Sequence, residues 1–434
     1  MRKGIPLMEQ VYKSNHRKIA TFLSVIPGLG QLYNRQILKG VAFLTMTIAF
    51  LVSFWDFFAE KGLWGLVTLG TQVPRDNSIF LLVYGIISIL LLFFAAIFVF
   101  IVFRDAYKNG ERRDMGQRLN TIREQYRNLI DNGFPYLILS PGFFLLVFVV
   151  ILPIIFVFLL AFTNYDLYHQ WPAKLMDWVG TANFTELFGT ELWRSTFLNV
   201  FAWTLVWTFG ATTCQIALGV FLAVLVNQKD LKGKAIIRTI FILPWAVPAF
   251  VSILIFSGMF NETFGAINTV ILDAVGIPPV DWLTNANATR LALIFIQTWL
   301  GFPFIFVMVT GVLQSIPEEL YEAATVDGAS ALQKFRNITF PLIMFSIAPI
   351  LITQYTFNFN NFNVIFLFNG GGPSVSGQKA GGTDILISWI YKLTMTSQEY
   401  AIAAAITLIM SAMVITVAVW QFRRTKSFQE EDMM

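Results

Sequence analysis

The chain has 434 residues, of which 56% are hydrophobic and only 13% charged, with 44 Phe, a mean hydropathy of +0.65 and a formal charge of +4. A soluble domain of this size and composition would not stay dispersed, so the chain reads as an integral membrane protein. The small basic excess is the topological bias of such proteins, and nucleic-acid binding is not expected from it.

The first eighteen residues are basic and lack an apolar core, so no cleavable signal peptide is expected. Residues 26–34, Ile-Pro-Gly-Leu-Gly-Gln-Leu-Tyr-Asn, are too short and too broken to span. They predict an interfacial or re-entrant piece with a positioning role. Apolar windows long enough to cross a bilayer follow at 37–58, 80–103, 136–162, 197–226, 236–259, 291–313, 342–362 and 400–422. The predicted fold is therefore all-α and polytopic, with eight transmembrane helices.

The connector 104–132 carries mixed charges suited to a solvated helix. It separates a two-span region, 1–134, from a six-span region, 135–434. Segments 1–39, 104–134, 227–238, 315–340 and 421–434 hold 23 of the 30 Lys and Arg. This bias places both termini and all five segments in the cytoplasm. No internal repeat is visible, which argues against an inverted-repeat secondary transporter. Such a transporter would also need an intramembrane carboxylate or cation site.

Catalytic chemistry finds no foothold. His16 and His169 fall on opposite sides of the predicted membrane, so they cannot share a metal. The lone Cys214 lies in the fourth span, where burial is expected, and excludes an internal disulfide. Asp56, at the outer end of the first span, reads as interfacial. Gly372 and Gly377 imitate a phosphate loop, but Gln378 stands where Lys is needed. A membrane-embedded enzyme would need clustered His or acidic residues at one interface, and these are missing.

Residues 315–341 form a polar island between two apolar runs. Ser315 and Glu318 have capping-box spacing, with Pro317 in the first turn. Gly328 permits a left-handed bend. A short helix, a bend and a second short helix are expected here, able to transmit force between two spans. In the seventh span Gln354, Asn358 and Asn361 are spaced by four and three, which places them on one helical face with Phe357 beside them. Amides pointing into lipid cost several kcal/mol, about two or more per group, so they should face the bundle interior or a watery cavity. Their paired donors and acceptors, without charge, suit sugar hydroxyls, and Phe357 offers a stacking face. Interhelical glue fits the same residues, and spacing does not choose between the two. Asn360 and Asn363 point off that face and read as structural.

Glu322, Ala323, Ala324, Gly328, Ile338 and Pro341 fall in register with the EAA loop, and the chain resembles ABC importer permeases on that account. Phe340 stands where Leu is usual. Residues 135–434 further resemble the maltose and maltodextrin permeases of MalF type. The shared segments are Ala161 to Tyr165, Leu243 to Pro248, Thr298 to Phe304, Phe357 to Phe362 and Asn369 to Pro373. The resemblance implies a type I six-helix permease core and a coupling site at Glu322, Ala323, Ala324, Asp327 and Gly328. It implies a substrate site at Leu300, Gly301, Phe304, Gln354, Phe357, Asn358 and Asn361. Phe304 replaces a Tyr of the family and Gln354 replaces a Ser. The large external domain of Gram-negative relatives is replaced by the short stretch 163–196, so how a binding protein docks is left open.

The implied function is that of one permease subunit in the bacterial cytoplasmic membrane. Its partners would be a second permease of MalG type, two ATPases of MalK type and an external sugar-binding protein. This chain would hold no cofactor, since ATP and Mg belong to the ATPases. Raffinose or a multiple-sugar substrate is the alternative to maltodextrin.

Overall fold

The computed structural model describes residues 15–228 and 231–424. Of the Lys and Arg that enter the topology argument, Arg2, Lys3, Lys13, Lys229 and Lys426 lie outside these ranges. Among the described residues the regular structure is helical, apart from two isolated antiparallel bridges, Thr163 to Trp178 and Ser374 to Gly381.

Among the described residues, six helices are long and apolar enough to cross a bilayer: Ser78–Asp114, Gly133–Leu160, Glu191–Val226, Ala286–Ser315, Ala331–Asn369 and Tyr400–Trp420. The remaining two predicted windows take other forms. One holds the 17-residue helix Ile37–Ser53, which runs on as a π-helix, Phe54–Trp64. The other holds a pair, Lys234–Trp245 and Ala249–Met259, bent by 85°. Pro248 caps the second member in extended conformation, with ψ at 132°. Proline has no N–H to donate and disfavours helix in the residue before it, so the bend falls at this point.

The chain divides into two compact units, Met1–Val179 and Gly180–Met434. In the first, residues 26–34 lie in a short helical hairpin, His16–Leu23 and Leu29–Tyr33, packed on the end of Ser78–Asp114. Gly28, at φ +103°, makes the turn, and a Cβ there would sit 2.4 Å from the Gly40 carbonyl oxygen. Buried Gln31 donates to the Val102 carbonyl (3.0 Å) and Asn34 to that of Ala106 (3.0 Å). Asp114 accepts from the main-chain N–H of His16 (2.8 Å) and Arg17 (3.1 Å), capping a helix that lacks its own side-chain cap. The connector following Asp114 re-enters helix at Ile122 behind a capping box of Thr121 and Glu124.

In the second unit Glu191–Val226 and Ala286–Ser315 pack along each other. Gly219 permits the close approach, because a Cβ there would lie 2.6 Å from Cβ of Ile305. Two apolar clusters flank the centre of this pair. One contains Trp203, Trp207, Ala211, Ile253, Ile296 and Ile365. The other contains Val220, Phe302, Ile305, Phe306, Val309 and Ile343. Cys214 is exposed in this chain, contrary to expectation. It points away from the buried stripe of Ala211, Thr212, Gln215 and Gly219 on its own helix.

Candidate functional site: a broken span and an exposed loop

The Ala331–Asn369 span breaks where its amides cluster. Its main helical segment, Phe340–Phe359, stops one residue after Asn358, and Phe362–Asn369 restarts the helix. Asn360 has ψ at 17° and Asn361 at 76°, so neither continues the α-helix. The expectation that Gln354, Asn358 and Asn361 share a face of one continuous helix is corrected here: Asn361 lies beyond the helix end. It still meets Asn358, because the turn folds its side chain back.

What forms is a network across three helices. Asn358 donates to Thr212 Oγ1 (2.8 Å), and Asn361 Nδ2 donates to Asn358 Oδ1 (3.3 Å) and Gln297 Oε1 (2.9 Å). Gln297 Nε2 donates to Gln215 Oε1 (3.1 Å), and Gln215 Nε2 to Gln354 Oε1 (3.2 Å). Asn358, Asn361, Gln215, Gln297 and Thr212 are buried, while Gln354 is half-buried. Burial of five polar side chains between apolar clusters is tolerable only because they satisfy one another. Trp207 Nε1 donates to the Asn358 carbonyl (2.9 Å), which also accepts from Asn361 N (3.2 Å) where the regular helical bond stops.

The other predicted site residues sit around this network. Gly301 lies directly under Gln215, since a Cβ on it would be 1.9 Å from Gln215 Oε1. Leu300 is half-buried against the Trp207 cluster. Phe304 packs on Trp245 with ring centroids 5.9 Å apart. Phe357 is 60% exposed and, with Phe304 and Leu300, takes no side-chain part in the hydrogen bonding. Asn360 and Asn363 are exposed. Sequence reasoning missed Thr212, Gln215 and Gln297. The signal was present, because Gln215 and Gln297 are amides inside apolar windows and face the same cost as those of the seventh span.

The polar loop is a second organised feature. Its helix, Glu318–Val326, is capped by Pro317 without any side-chain bond. The capping box expected from Ser315 does not form; Ser315 Oγ donates back to the Val312 carbonyl (2.8 Å). A capping box does form at Ser330 and Gln333, opening Ala331–Lys334. Between them Gly328 stands at φ +76°, and the bonds Ala329 N to Ala324 O (2.9 Å) and Gly328 N to Thr325 O (3.0 Å) complete a Schellman stop. Tyr321 pairs with Thr339 (2.9 Å), and Lys334 Nζ donates to Thr325 Oγ1 (2.7 Å), fastening the helix to the base of the broken span. Glu322, Ala323, Asp327 and Gly328 are exposed and Ala324 is half-buried. Val326 is 88% exposed, so the tethered helix presents carboxylates next to apolar surface.

A family profile described as "Binding-protein-dependent transport system inner membrane component" matches residues 215–426, a range that holds both features. The galactooligosaccharides transport system permease protein GanP of Bacillus subtilis is 58% identical over 96% of this chain and 99% of its own. The chain belongs to this permease family. The maltodextrin transport system permease protein MalC of Streptococcus pneumoniae is 48% identical, over 95% of this chain and 97% of its own. Among solved structures, a bacterial ABC transporter involved in the import of the acidic polysaccharide alginate superposes with a TM-score of 0.59. It is 22% identical over 70% of this chain and 99% of its own, a likeness of fold. As a member of this family the chain is a multi-pass transporter subunit rather than an enzyme.

Proposed function

We propose that this permease imports neutral oligosaccharides of the maltodextrin class, with the sugar held at the broken span. The observation that carries this is the uncharged amide network at the break. Gln354 ends it on one side, Asn361 joins Asn358 to Gln297 within it, and Phe357 lies exposed next to Asn358 in the chain. Amides recognise hydroxyls, an aromatic face takes the C–H side of a pyranose, and the absence of charge among these named residues suits a neutral ligand. Galacto-oligosaccharides are the second reading, favoured by the 58% identical relative. Both have pyranose rings and differ in linkage, which the exposed aromatic face would sense.

In this reading eight helices cross the bacterial cytoplasmic membrane with both termini inside, and residues 135–434 are the six-span core. The Glu318–Val326 helix docks on a cytoplasmic ATPase of MalK type, with Glu322, Ala323, Ala324, Asp327 and Gly328 at the contact. A second permease of MalG type completes the pathway, and an external binding protein delivers the sugar. ATP and Mg act on the ATPases, and this chain holds no cofactor of its own. The test is ATPase activity of the whole importer in proteoliposomes with its binding protein, challenged with maltotriose, a β-linked galactotriose and raffinose. Stimulation by maltotriose supports the first reading, stimulation by galactotriose alone the second. Stimulation by none of the three removes the oligosaccharide assignment.

A further inference from the structure

We propose that Gln215 is a positioning residue that fixes which edge of the Gln354 amide meets the sugar. This rests on the oligosaccharide reading above. The bonds run in one direction: Asn361 Nδ2 to Gln297 Oε1, Gln297 Nε2 to Gln215 Oε1, Gln215 Nε2 to Gln354 Oε1. The inner amides, Gln297 and Gln215, each accept with the oxygen and donate with the nitrogen, so neither can flip without leaving a buried group unpaired. The start is anchored, because Asn358 gives its Nδ2 to Thr212 and so turns Oδ1 towards Asn361. The glycine at 301 leaves Gln215 the room to reach across.

The two ends therefore differ. Gln354 spends its oxygen on Gln215, and among the described residues its Nε2 has no partner, leaving N–H donors for a ligand. Asn361 spends its nitrogen, leaving Oδ1 as an acceptor. An oligosaccharide must then offer an oxygen acceptor to Gln354 and a hydroxyl donor near Asn361. Gln215 and Gln297, both buried, impose that polarity on it.

The experiment is initial-rate uptake by the complete importer in proteoliposomes, with whichever of maltotriose or β-galactotriose the wild type transports. Gln215→Met, Gln354→Met and the double variant are compared, with Phe357→Ala as reference and complex yield measured throughout. Each single Met variant should raise KM by about tenfold with Vmax within about twofold, and the double variant should be no worse than either single one. An unchanged KM in Gln354→Met, or effects that multiply in the double variant, overturns the inference. Loss of the assembled complex or of Vmax in Gln215→Met makes that residue structural and overturns it too. If Phe357→Ala impairs uptake while the Met variants do not, only this inference falls. If none of the variants alters uptake, the site reading itself falls.

Discussion

Trp207 and Asn358, 151 residues apart, are joined by an indole N–H donated to a main-chain carbonyl at 2.9 Å, at the point where a membrane span breaks. Both residues are buried, so the carbonyl has no water to turn to. An intramembrane break is permitted where neighbouring helices satisfy the freed groups, and Trp207 is one of the residues that does so.

Trp207→Phe keeps most of the ring and deletes the donor. The Asn358 oxygen keeps the Asn361 N–H (3.2 Å) but loses the indole, and losing that one buried bond should destabilise the subunit by about 0.5–1.5 kcal/mol. Thermal melting of the purified complex checks this, and the midpoint should fall while the yield of membrane-inserted chain stays unchanged. An unaltered midpoint would mean that the break is held by the amides alone.

Gly328→Val places a β-branched residue at φ +76°, at a strain of about 1–2 kcal/mol. There is open space around a Cβ at that position, so the strain is of the backbone and not of packing. The bend after Glu318–Val326 should reorganise, and the chain should insert normally yet co-purify poorly with its ATPase. Glu322→Ala should weaken the same association without altering the bend. Normal ATPase recovery with both variants would remove the coupling role of this loop.

The proposed orientation places Ser195 outside and Ser330 inside. Since Cys214 is exposed in this chain, it must be replaced before labelling. Single cysteines at Ser195 and Ser330 should then react oppositely to an impermeant thiol reagent on intact cells, with only the former labelled. Labelling at 330 from outside reverses the topology.

Glu262 holds the loop ahead of Ala286–Ser315 by accepting from Thr284 Oγ1 and N (both 2.7 Å) and Leu283 N (3.0 Å). The Thr284 hydroxyl bond, aided by the two main-chain bonds, holds its carboxyl below the ordinary 4.5. A depressed folded-state value means a contribution that is complete above the unfolded value and is lost as pH falls through the folded one. Melting of wild type and Glu262→Gln should therefore differ above that ordinary value and converge as pH drops below it. A gap that does not narrow would exclude the carboxylate as the cause.

Much of this organisation was legible in composition and spacing. Long apolar windows cannot avoid being helices in lipid, and the Glu322 to Pro341 spacing marked the loop. Polar side chains inside the seventh window marked the amide cluster, though not the break in the helix that carries it. The rest depended on tertiary partners. Ser315 had the spacing of a capping box, yet Pro317 took the cap position, and a spacing rule does not register that competition. Asn361 sat in register with Asn358, but periodicity assumes the helix continues, and here it stops at Phe359. Pairing Gln215 with Gln354 needs three-dimensional proximity across 139 residues. Only the cost of a buried amide hinted at it.

Phe357 gives the most direct test of the sugar site, because its exposed side chain carries no hydrogen bond of the network and little packing. Uptake of the preferred trisaccharide by the reconstituted importer should be measured for Phe357→Ala beside wild type, with complex yield and basal ATPase activity recorded in parallel. Loss of the stacking face should lower uptake by about fivefold or more, in line with about 1 kcal/mol of aromatic contact, while yield and basal ATPase stay level. Uptake equal to wild type at equal yield would contradict a sugar site at the broken span.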